Sequence, residues 1–144
     1  MQLNLLSIRL YSLLESNKKY LVYFPLYIYW ITLFALTSFP TDALPSFGIG
    51  DKFEHLIAYF VLIIFMQLTF HFQEKFEKLK KSNQFYAIVI SCLYGVFDEL
   101  HQYFIPGRYC DILDLLANFA GIFIASYLVS SFIKTAISKG ELNS

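Results

Sequence analysis

Apolar residues are gathered into four long runs along the chain, and each run is close to 20 residues long. A helix needs roughly 20 apolar residues to cross the hydrocarbon core of a bilayer, which is about 30 Å thick. The segments between the runs carry prolines, glycines and charged residues, which are typical of connections. The pattern therefore predicts four membrane-spanning helices, over 20–39, 53–72, 85–104 and 112–133.

The residues before the first run show a different pattern. Leu6, Leu10 and Leu13 recur at near-helical spacing, with Arg9 on the other side. This spacing favours an amphipathic helix on the membrane surface, and a mobile tail is the alternative. The predicted fold class is an all-α integral membrane bundle of four transmembrane helices with a short N-terminal interfacial helix. The predicted organisation is an amphipathic segment 1–19, a four-helix domain 20–134 and a cytoplasmic tail 135–144.

Composition agrees with a membrane protein. The chain is 57% hydrophobic and 15% charged, whereas soluble domains carry about 25% charged residues. The helices of a soluble bundle would need a charged face, which the run YLVYFPLYIYWITLFALTSF lacks. A formal net charge of +0 argues against a nucleic-acid partner. Membrane lipids are the expected partners, and a homo-oligomer stays open.

The basic residues predict the orientation. Nine of the 11 Lys and Arg residues lie before the first run, between the second and third, or after the fourth. Lys52 and Arg108 lie in the other connections. Because short cytoplasmic loops retain positive charge during insertion, the sequence predicts a multi-pass protein with both termini in the cytoplasm.

Polar residues form a layer near the opposite boundary. A carboxylate at the bilayer centre costs about 2.5 to 3.5 kcal/mol, so its position needs a reason. His55, Glu99 and Asp114 all lie within one or two helical turns of the same boundary. Residues three and four apart share a helix face, which predicts three polar stripes that face one another. The stripes comprise Asp51, His55 and Tyr59; Glu99 and Gln102, beside Asp98; and Asp111, Asp114 and Asn118.

Each polar element has more than one interpretation. Arg108 in the PGR turn is placed to hold one or two carboxylates in bidentate fashion, or only to staple a loop. His55 is either a packing residue or an imidazole oriented by Asp51. Asn118 and Gln102 could simply link helices through hydrogen bonds.

Other residues in the spans are expected to serve packing. Gly121 and Ala125 form a small-residue row, which allows close helix contact and predicts a centrally packed fourth span. His71 and His101 have no partner at a useful spacing, so neither is assigned a role.

Two segments resemble the VanZ-like family of bacterial membrane proteins, whose founder is associated with teicoplanin resistance. They are DKFEHLIAY and LYGVFDELHQYFIPGRYCDILDLLANFAG. The family elements are similar to D-K-x-x-H-x-x-x-Y and E-x-x-Q-x-x-x-P-G-R-x-x-D-x-x-D-x-x-x-N-x-x-G. Asp98, Glu54 and His101 add polar groups where the family is usually variable or apolar, and Ala125 stands where a second glycine is common.

The stripes and the resemblance together define one candidate site, named the polar cluster from here on. The resemblance implies an inner-membrane protein of the bacterial cell envelope with a link to antibiotic resistance, but no reaction. The polar cluster comprises Asp51, Lys52, His55, Tyr59, Glu99, Gln102, Arg108, Asp111, Asp114 and Asn118.

Three functions are compatible with an outward-facing polar cluster. The first is binding of an amphipathic envelope molecule, such as a glycopeptide antibiotic or a lipid-linked precursor. The second is an enzyme that modifies a lipid or lipid-linked phosphate headgroup, with His55, Glu99 and Asp114 as candidate catalytic groups. The third is transport, which is disfavoured because the inner half of the spans lacks ionisable groups. Whether the protein is an enzyme stays open, no metal site is assigned and no cofactor is identified.

Overall fold

The structure, a computed structural model, describes residues 2–40 and 50–141, and every regular element in those ranges is helical. The all-α prediction is therefore confirmed there. Residues 142–144, the end of the predicted tail, lie outside the described residues. The elements are α1 (Gln2–Ser16), a π-helical turn (Lys19–Tyr23), α2 (Phe24–Ser38), α3 (Asp51–Phe72), α4 (Glu77–Lys81), α5 (Asn83–Gln102) and α6 (Ile112–Glu141).

Three helical segments in the described ranges are long and apolar enough to cross a membrane, rather than the four predicted. They are Lys19–Ser38, Asp51–Phe72 and Ile112–Ser138. The predicted third span corresponds to α5, which has 20 residues but a lower hydropathy than the others. Its polar residues turn into the bundle, and apolar side chains cover its outer face. The buried positions include Ser91, Gly95, Asp98, Glu99 and Gln102, and the exposed positions include Phe85, Val89, Leu93, Val96 and Leu100.

Helix α3 lies at the centre of the bundle and packs against α2, α5 and α6. Leu62, Ile63 and Met66 of α3 are fully buried against the other helices. The predicted central position of the last span holds in part, since α6 packs against α1, α3 and α5. Helices in lipid gain little from the hydrophobic effect, so close van der Waals packing at these contacts must hold them together.

Gly121 sets the distance between α3 and α6. A Cβ atom at this position would overlap the carbonyl oxygen of Leu56 and lie 3.0 Å from the backbone nitrogen of Phe60. The backbones therefore touch where the sequence places a residue without a side chain. Ala125, one turn further along α6, is fully buried. The small-residue row predicted from the sequence is the contact surface for α3.

Helix α1 is attached to the bundle at the end remote from the polar cluster. It packs against α6, and the Tyr11 hydroxyl is 2.8 Å from Nε2 of His71. The Tyr11 ring also makes an edge contact with Phe72. His71, which received no role from the sequence, thus fixes the N-terminal helix to α3.

A π-helical turn joins the N-terminal region to α2. The backbone N–H of Phe24 donates to the carbonyl oxygen of Lys19, five residues earlier. Pro25 follows directly, and a proline within a helix has no N–H and displaces the carbonyl four residues before it. The wider turn accommodates Pro25 without ending the helix.

One buried polar contact links α3 and α6 away from the polar cluster. The Gln67 side-chain amide donates to Oγ of Ser130 at 2.8 Å, and Oγ of Ser126 donates to Oε1 of Gln67 at 2.9 Å. Gln67 and Ser126 are fully buried. These three residues are named the Gln67 bridge, which was not predicted because its members are isolated polar residues in apolar runs.

Candidate functional site

Three helices bring the polar cluster together at one end of the bundle. The head of α3 supplies its first four members, the end of α5 supplies Glu99 and Gln102, and the start of α6 supplies Asp114 and Asn118. Arg108 and Asp111 lie in the connection between α5 and α6. Because α3 and α6 begin at this end and α5 ends there, the predicted convergence of the stripes is realised in the side-chain contacts described below.

Lys52 pairs with two carboxylates of the cluster. Its Nζ atom is 2.7 Å from Oδ2 of Asp111 and 2.8 Å from Oδ1 of Asp114. The Asp114 side chain is 7% exposed, whereas that of Asp111 is 39% exposed. The hydrogen bond from Lys52 lowers the pKa of the Asp111 carboxyl below its ordinary value. Lys52 therefore ties the head of α3 to the start of α6.

Of the two interpretations of Arg108 open from the sequence, the contacts of the described residues do not support the one in which it holds carboxylates. Its guanidinium donates to Oε1 of Gln102 at 3.1 Å and to the backbone oxygens of Leu36 and Phe39 at 3.1 and 3.2 Å. None of the ion pairs between described residues includes Arg108. The last carbonyls of a helix lack intrahelical partners, and a cation there complements the helix dipole. Arg108 therefore caps α2 and fastens it to α5.

The turn before Arg108 explains why its side chain reaches α2. The backbone N–H of Arg108 donates to the carbonyl oxygen of Ile105 at 3.1 Å. Gly107 has φ of 77°, which a residue with a side chain rarely adopts. Proline at the second position and glycine at the third are typical of a type II turn. The PGR sequence thus sets the direction of the Arg108 side chain.

His55 stands between two carboxylates and an amide. Its Nδ1 atom is 3.1 Å from Oδ1 of Asn118 and 3.6 Å from Oε1 of Glu99, and its Nε2 atom is 3.9 Å from Oδ1 of Asp51. The His55 side chain is 11% exposed. The group within hydrogen-bond distance of the imidazole is Asn118, whereas Asp51, the orienting group considered from the sequence, lies beyond that distance.

Several buried polar atoms of the cluster have no hydrogen-bond partner among the described residues. They are Oε1 of Glu99, Nε2 of Gln102 and Nδ2 of Asn118. The other Glu99 oxygen accepts the backbone N–H of Asp111 at 3.3 Å. An unsatisfied buried polar atom costs about 1 to 3 kcal/mol. These three atoms of the cluster are available to hydrogen-bond water or a ligand.

Asp98 is a member of the site that the sequence noted only as a neighbouring polar group. The Tyr59 hydroxyl donates to Oδ2 of Asp98 at 3.0 Å, and Asp98 is 3% exposed. The signal that points to it is its spacing, since Asp98 lies four residues before Gln102 and shares its helix face.

A cavity of about 150 Å³ opens beside the cluster between α2, α3 and α5. Its wall from α2 is mostly apolar, and its wall from α3 and α5 is mostly polar. Thr37 and Glu54 also line this cavity, which was not expected from the sequence. The lining residues are Leu33, Leu36, Thr37, Asp51, Glu54, His55, Ala58, Tyr59, Asp98 and Arg108.

Comparison with known proteins identifies the family. A family model described as VanZ/LLP1 matches residues 4–134, nearly the whole chain. The chain belongs to the VanZ/LLP1 family. Searches of curated proteins and of solved structures found no match. The family and the three apolar helices make this a multi-pass membrane protein.

The polar cluster also contains three side chains that could hold a metal ion. Asp51, His55 and Asp114 each offer one ligand atom, and these atoms lie within 4.8 Å of one another. Carboxylate oxygens and imidazole nitrogens are ligands for divalent cations. Asp114 is also paired with Lys52, whose positive charge competes with a metal ion. The cluster can therefore hold a cation, move a proton through His55, or hydrogen-bond a polar headgroup.

Proposed function

We propose that this VanZ/LLP1 protein binds an amphipathic molecule of the bacterial cell envelope, a glycopeptide antibiotic or a lipid-linked precursor, at the cavity beside the polar cluster. The observation that carries the proposal is the mixed lining, in which Leu33 and Leu36 of α2 supply apolar surface and Asp98 and its neighbours supply polar groups. A lining of this kind matches a ligand that has both apolar and polar parts.

The size of the cavity limits which part of the ligand enters. Pockets for drug-sized ligands measure about 300 to 1,000 Å³, and a cavity of about 150 Å³ accommodates a group the size of benzene. This cavity, at about 150 Å³, has the size that accommodates a benzene-sized group and not a whole drug-sized ligand. A whole glycopeptide is therefore excluded, and the ligand inserts one small group while its remainder lies at the membrane boundary.

The proposal includes a topology with four spans and the cavity on the outer face. Helix α5 is the additional span, third in chain order, because its exposed side is apolar and its polar side faces the bundle. The basic residues near α1, α4 and the end of α6 remain in the cytoplasm. Cys110, which is exposed in the connection after α5, provides a native probe. A membrane-impermeant maleimide should label Cys110 in intact cells, and labelling only after lysis would contradict this orientation.

Binding can be tested with a variant that fills the cavity. Leu36 lines the cavity, and Leu36→Trp should block it without removing the backbone oxygen that Arg108 contacts. Purified protein in lipid nanodiscs is titrated with a fluorescent lipoglycopeptide and a fluorescent lipid-linked precursor. We expect at least one probe to bind the natural protein and to bind Leu36→Trp about tenfold more weakly, which corresponds to about 1.4 kcal/mol.

The matched control carries the same ring on the lipid-facing side of α5. Leu93 is 65% exposed and does not line the cavity, so Leu93→Trp should bind the probes as the natural protein does. Equal binding by both variants would remove the cavity from the proposed function.

A second candidate function is modification of a lipid phosphate headgroup with a divalent cation. The observation that favours it is the placement of His55 between Asp51 and Glu99, with Asp114 close enough for Asp51 and Asp114 to hold the cation while His55 stays free as a base. The cation would neutralise the acids, which otherwise repel a phosphate, and His55 would act as the general base. This candidate requires Mg²⁺- or Mn²⁺-dependent turnover of a lipid phosphate that His55→Gln abolishes and His101→Gln retains. Turnover that is independent of His55 would exclude it.

A further inference from the structure

The charges around the cavity specify the polar group of the ligand. We infer that the cavity takes up a primary ammonium group of an amphipathic molecule, and that Asp98 and Glu54 select this group over a neutral or anionic one. The inference rests on the proposed function and adds the chemical class of the headgroup. It follows from three features of the described residues: the acids in the lining, the partners of the basic residues, and the apolar wall.

Acidic side chains outnumber basic ones in the lining. Asp51, Glu54 and Asp98 supply three carboxyl groups, and Arg108 is the one permanently charged cation among the described lining residues. The neighbouring Glu99 adds a fourth carboxyl group, 3.6 Å from Nδ1 of His55. An anionic headgroup would meet this excess of negative charge at short range, where screening by water and salt is weak.

The basic residues nearby are already engaged. Arg108 donates to one side-chain oxygen and two backbone oxygens at the end of α2. Lys52 makes its ion pairs with Asp111 and Asp114, neither of which lines the cavity. Neither cation makes an ion pair with Asp98 or Glu99 among the described contacts.

Asp98 and Glu99 are therefore buried acids without a permanent cation. Asp98 receives a hydrogen bond from the neutral hydroxyl of Tyr59, and Oε1 of Glu99 has no hydrogen-bond partner. Their exposed fractions are 3% and 2%. A buried carboxylate is unfavourable unless a charge and hydrogen bonds compensate it. An ammonium group in the cavity supplies both to Asp98 and reduces the negative potential at Glu99.

The apolar wall favours an organic cation over a bare metal ion. A divalent metal ion binds oxygen or nitrogen ligands on all sides at about 2.0 to 2.6 Å. Leu33, Leu36 and Ala58 offer none of these ligands to the cavity through their side chains. An alkylammonium group places its nitrogen at the acids and its methylene groups against the leucines, so both walls are used.

The test compares three probes with the same alkyl chain: dodecylamine, dodecanol and dodecanoate. Each is titrated against the full-length protein in phosphatidylcholine nanodiscs, and the bound probe is measured by native mass spectrometry. Because a hydrogen bond to a charged group is stronger than one between neutral groups, we expect the amine to bind about tenfold more tightly than the alcohol. Dodecanoate should bind most weakly.

Asp98→Asn is the test variant, because it keeps an oxygen that accepts the Tyr59 hydrogen bond and removes only the charge. We expect it to lose most of the preference for the amine. Glu77→Gln, which removes a charge from the exposed surface of α4, should keep the preference. If Asp98→Asn fails to fold, Glu54→Gln replaces it and should reduce the preference in the same direction.

The outcomes separate this inference from the proposed function. Equal binding of amine and alcohol would overturn the charge selection while the cavity still binds amphipathic molecules. Displacement of the amine by micromolar Mn²⁺ would also overturn it and would assign the acids to a metal ion. If none of the three probes binds and the lipoglycopeptide and precursor also fail to bind, the proposed function itself fails.

Discussion

The Gln67 bridge and the polar cluster both link α3 to α6, and among the described residues they differ in whether their buried polar atoms have partners. In the Gln67 bridge, the amide of Gln67 donates to Ser130 and accepts from Ser126, so each of its side-chain groups is paired. In the polar cluster, Glu99 and Asn118 each have a buried atom without a hydrogen bond. The cavity lies beside the cluster.

The difference separates packing from binding. Polar side chains that satisfy one another hold transmembrane helices together, with about 0.6 to 2 kcal/mol for each hydrogen bond. Buried polar atoms without partners are rare in folded proteins and require an explanation. A ligand that enters the cavity is such an explanation, and the Gln67 bridge needs none. The following predictions test this distinction, from the largest expected effect on stability to the smallest.

The largest effect is expected from Gly121→Ala, because both polar contacts depend on the distance between α3 and α6. The added Cβ would overlap the carbonyl oxygen of Leu56, and backbone cannot move as a side chain can. We expect a loss of about 3 kcal/mol or more in the free energy of unfolding, at or above the usual range for overpacking. Reversible unfolding in mixed micelles measures it.

Gly95→Ala is the matched control for this substitution. Its added Cβ would lie 3.3 Å from Cε1 of Tyr59, and an aromatic ring can shift by the few tenths of an ångström required. We expect a loss below about 1 kcal/mol. Equal destabilisation by the two variants would mean that the spacing of α3 and α6 is not set at Gly121.

Gln67→Leu should lower stability without affecting binding. The substitution keeps a side chain of similar size and leaves the hydroxyls of Ser126 and Ser130 without their partner. We expect the free energy of unfolding to fall by about 1 to 2 kcal/mol. The affinity for dodecylamine in nanodiscs should stay unchanged. A parallel loss of that affinity would show that the Gln67 bridge belongs to the binding site.

Glu99→Gln should give the opposite result. Removing a buried carboxyl group without a permanent cation leaves stability within about 1 kcal/mol of the natural protein or raises it. The affinity for dodecylamine should fall by about tenfold because the negative potential beside His55 is lost. A large loss of stability with unchanged affinity would place Glu99 among the packing residues.

The helices and the location of the polar cluster could be predicted from the sequence because they depend on local patterns. Apolar runs of about 20 residues correspond to helices in the structure, with small shifts at the helix ends. Polar positions three and four apart lie on shared helix faces. The number of spans differs, with four predicted and three found by length and hydropathy among the described residues. Helix α5 buries Ser91 and Asp98 inside the bundle, so its hydropathy is low although its outer face is apolar.

The partners within the cluster could not be predicted, because they depend on how the helices rotate and on which groups compete. Arg108 and Lys52 are both long cations near Asp111 in the folded chain. Lys52 takes the carboxylates, and Arg108 takes the free carbonyls of α2. The turn at Gly107, which directs the Arg108 side chain towards α2, contributes to this outcome. The Gln67 bridge could not be predicted for a similar reason. Gln67 is far in sequence from its two serine partners, and no local pattern relates them.

The smallest effect concerns exposed ion pairs at the two ends of the bundle. Lys52 lowers the pKa of the Asp111 carboxyl below 3.8, and Lys18 lowers that of Glu74 below 4.5. A carboxyl group with a lowered pKa in the folded state stabilises the fold above its unfolded pKa. That contribution disappears as the pH falls through the lower, folded pKa. The melting temperature should therefore fall slightly as the pH is lowered below about 4.5.

Asp111→Asn and Glu74→Gln should each remove part of this acid dependence, and added salt should weaken it because both carboxyl groups are exposed. The two ends differ in one respect. Lys52 also holds the buried Asp114, so Asp111→Asn leaves Lys52 with a partner, whereas Glu74→Gln leaves Lys18 with the carbonyl oxygen of Phe72. Scans of melting temperature against pH for both variants compare the two pairs. An unchanged acid dependence in both would show that neither surface pair contributes to stability.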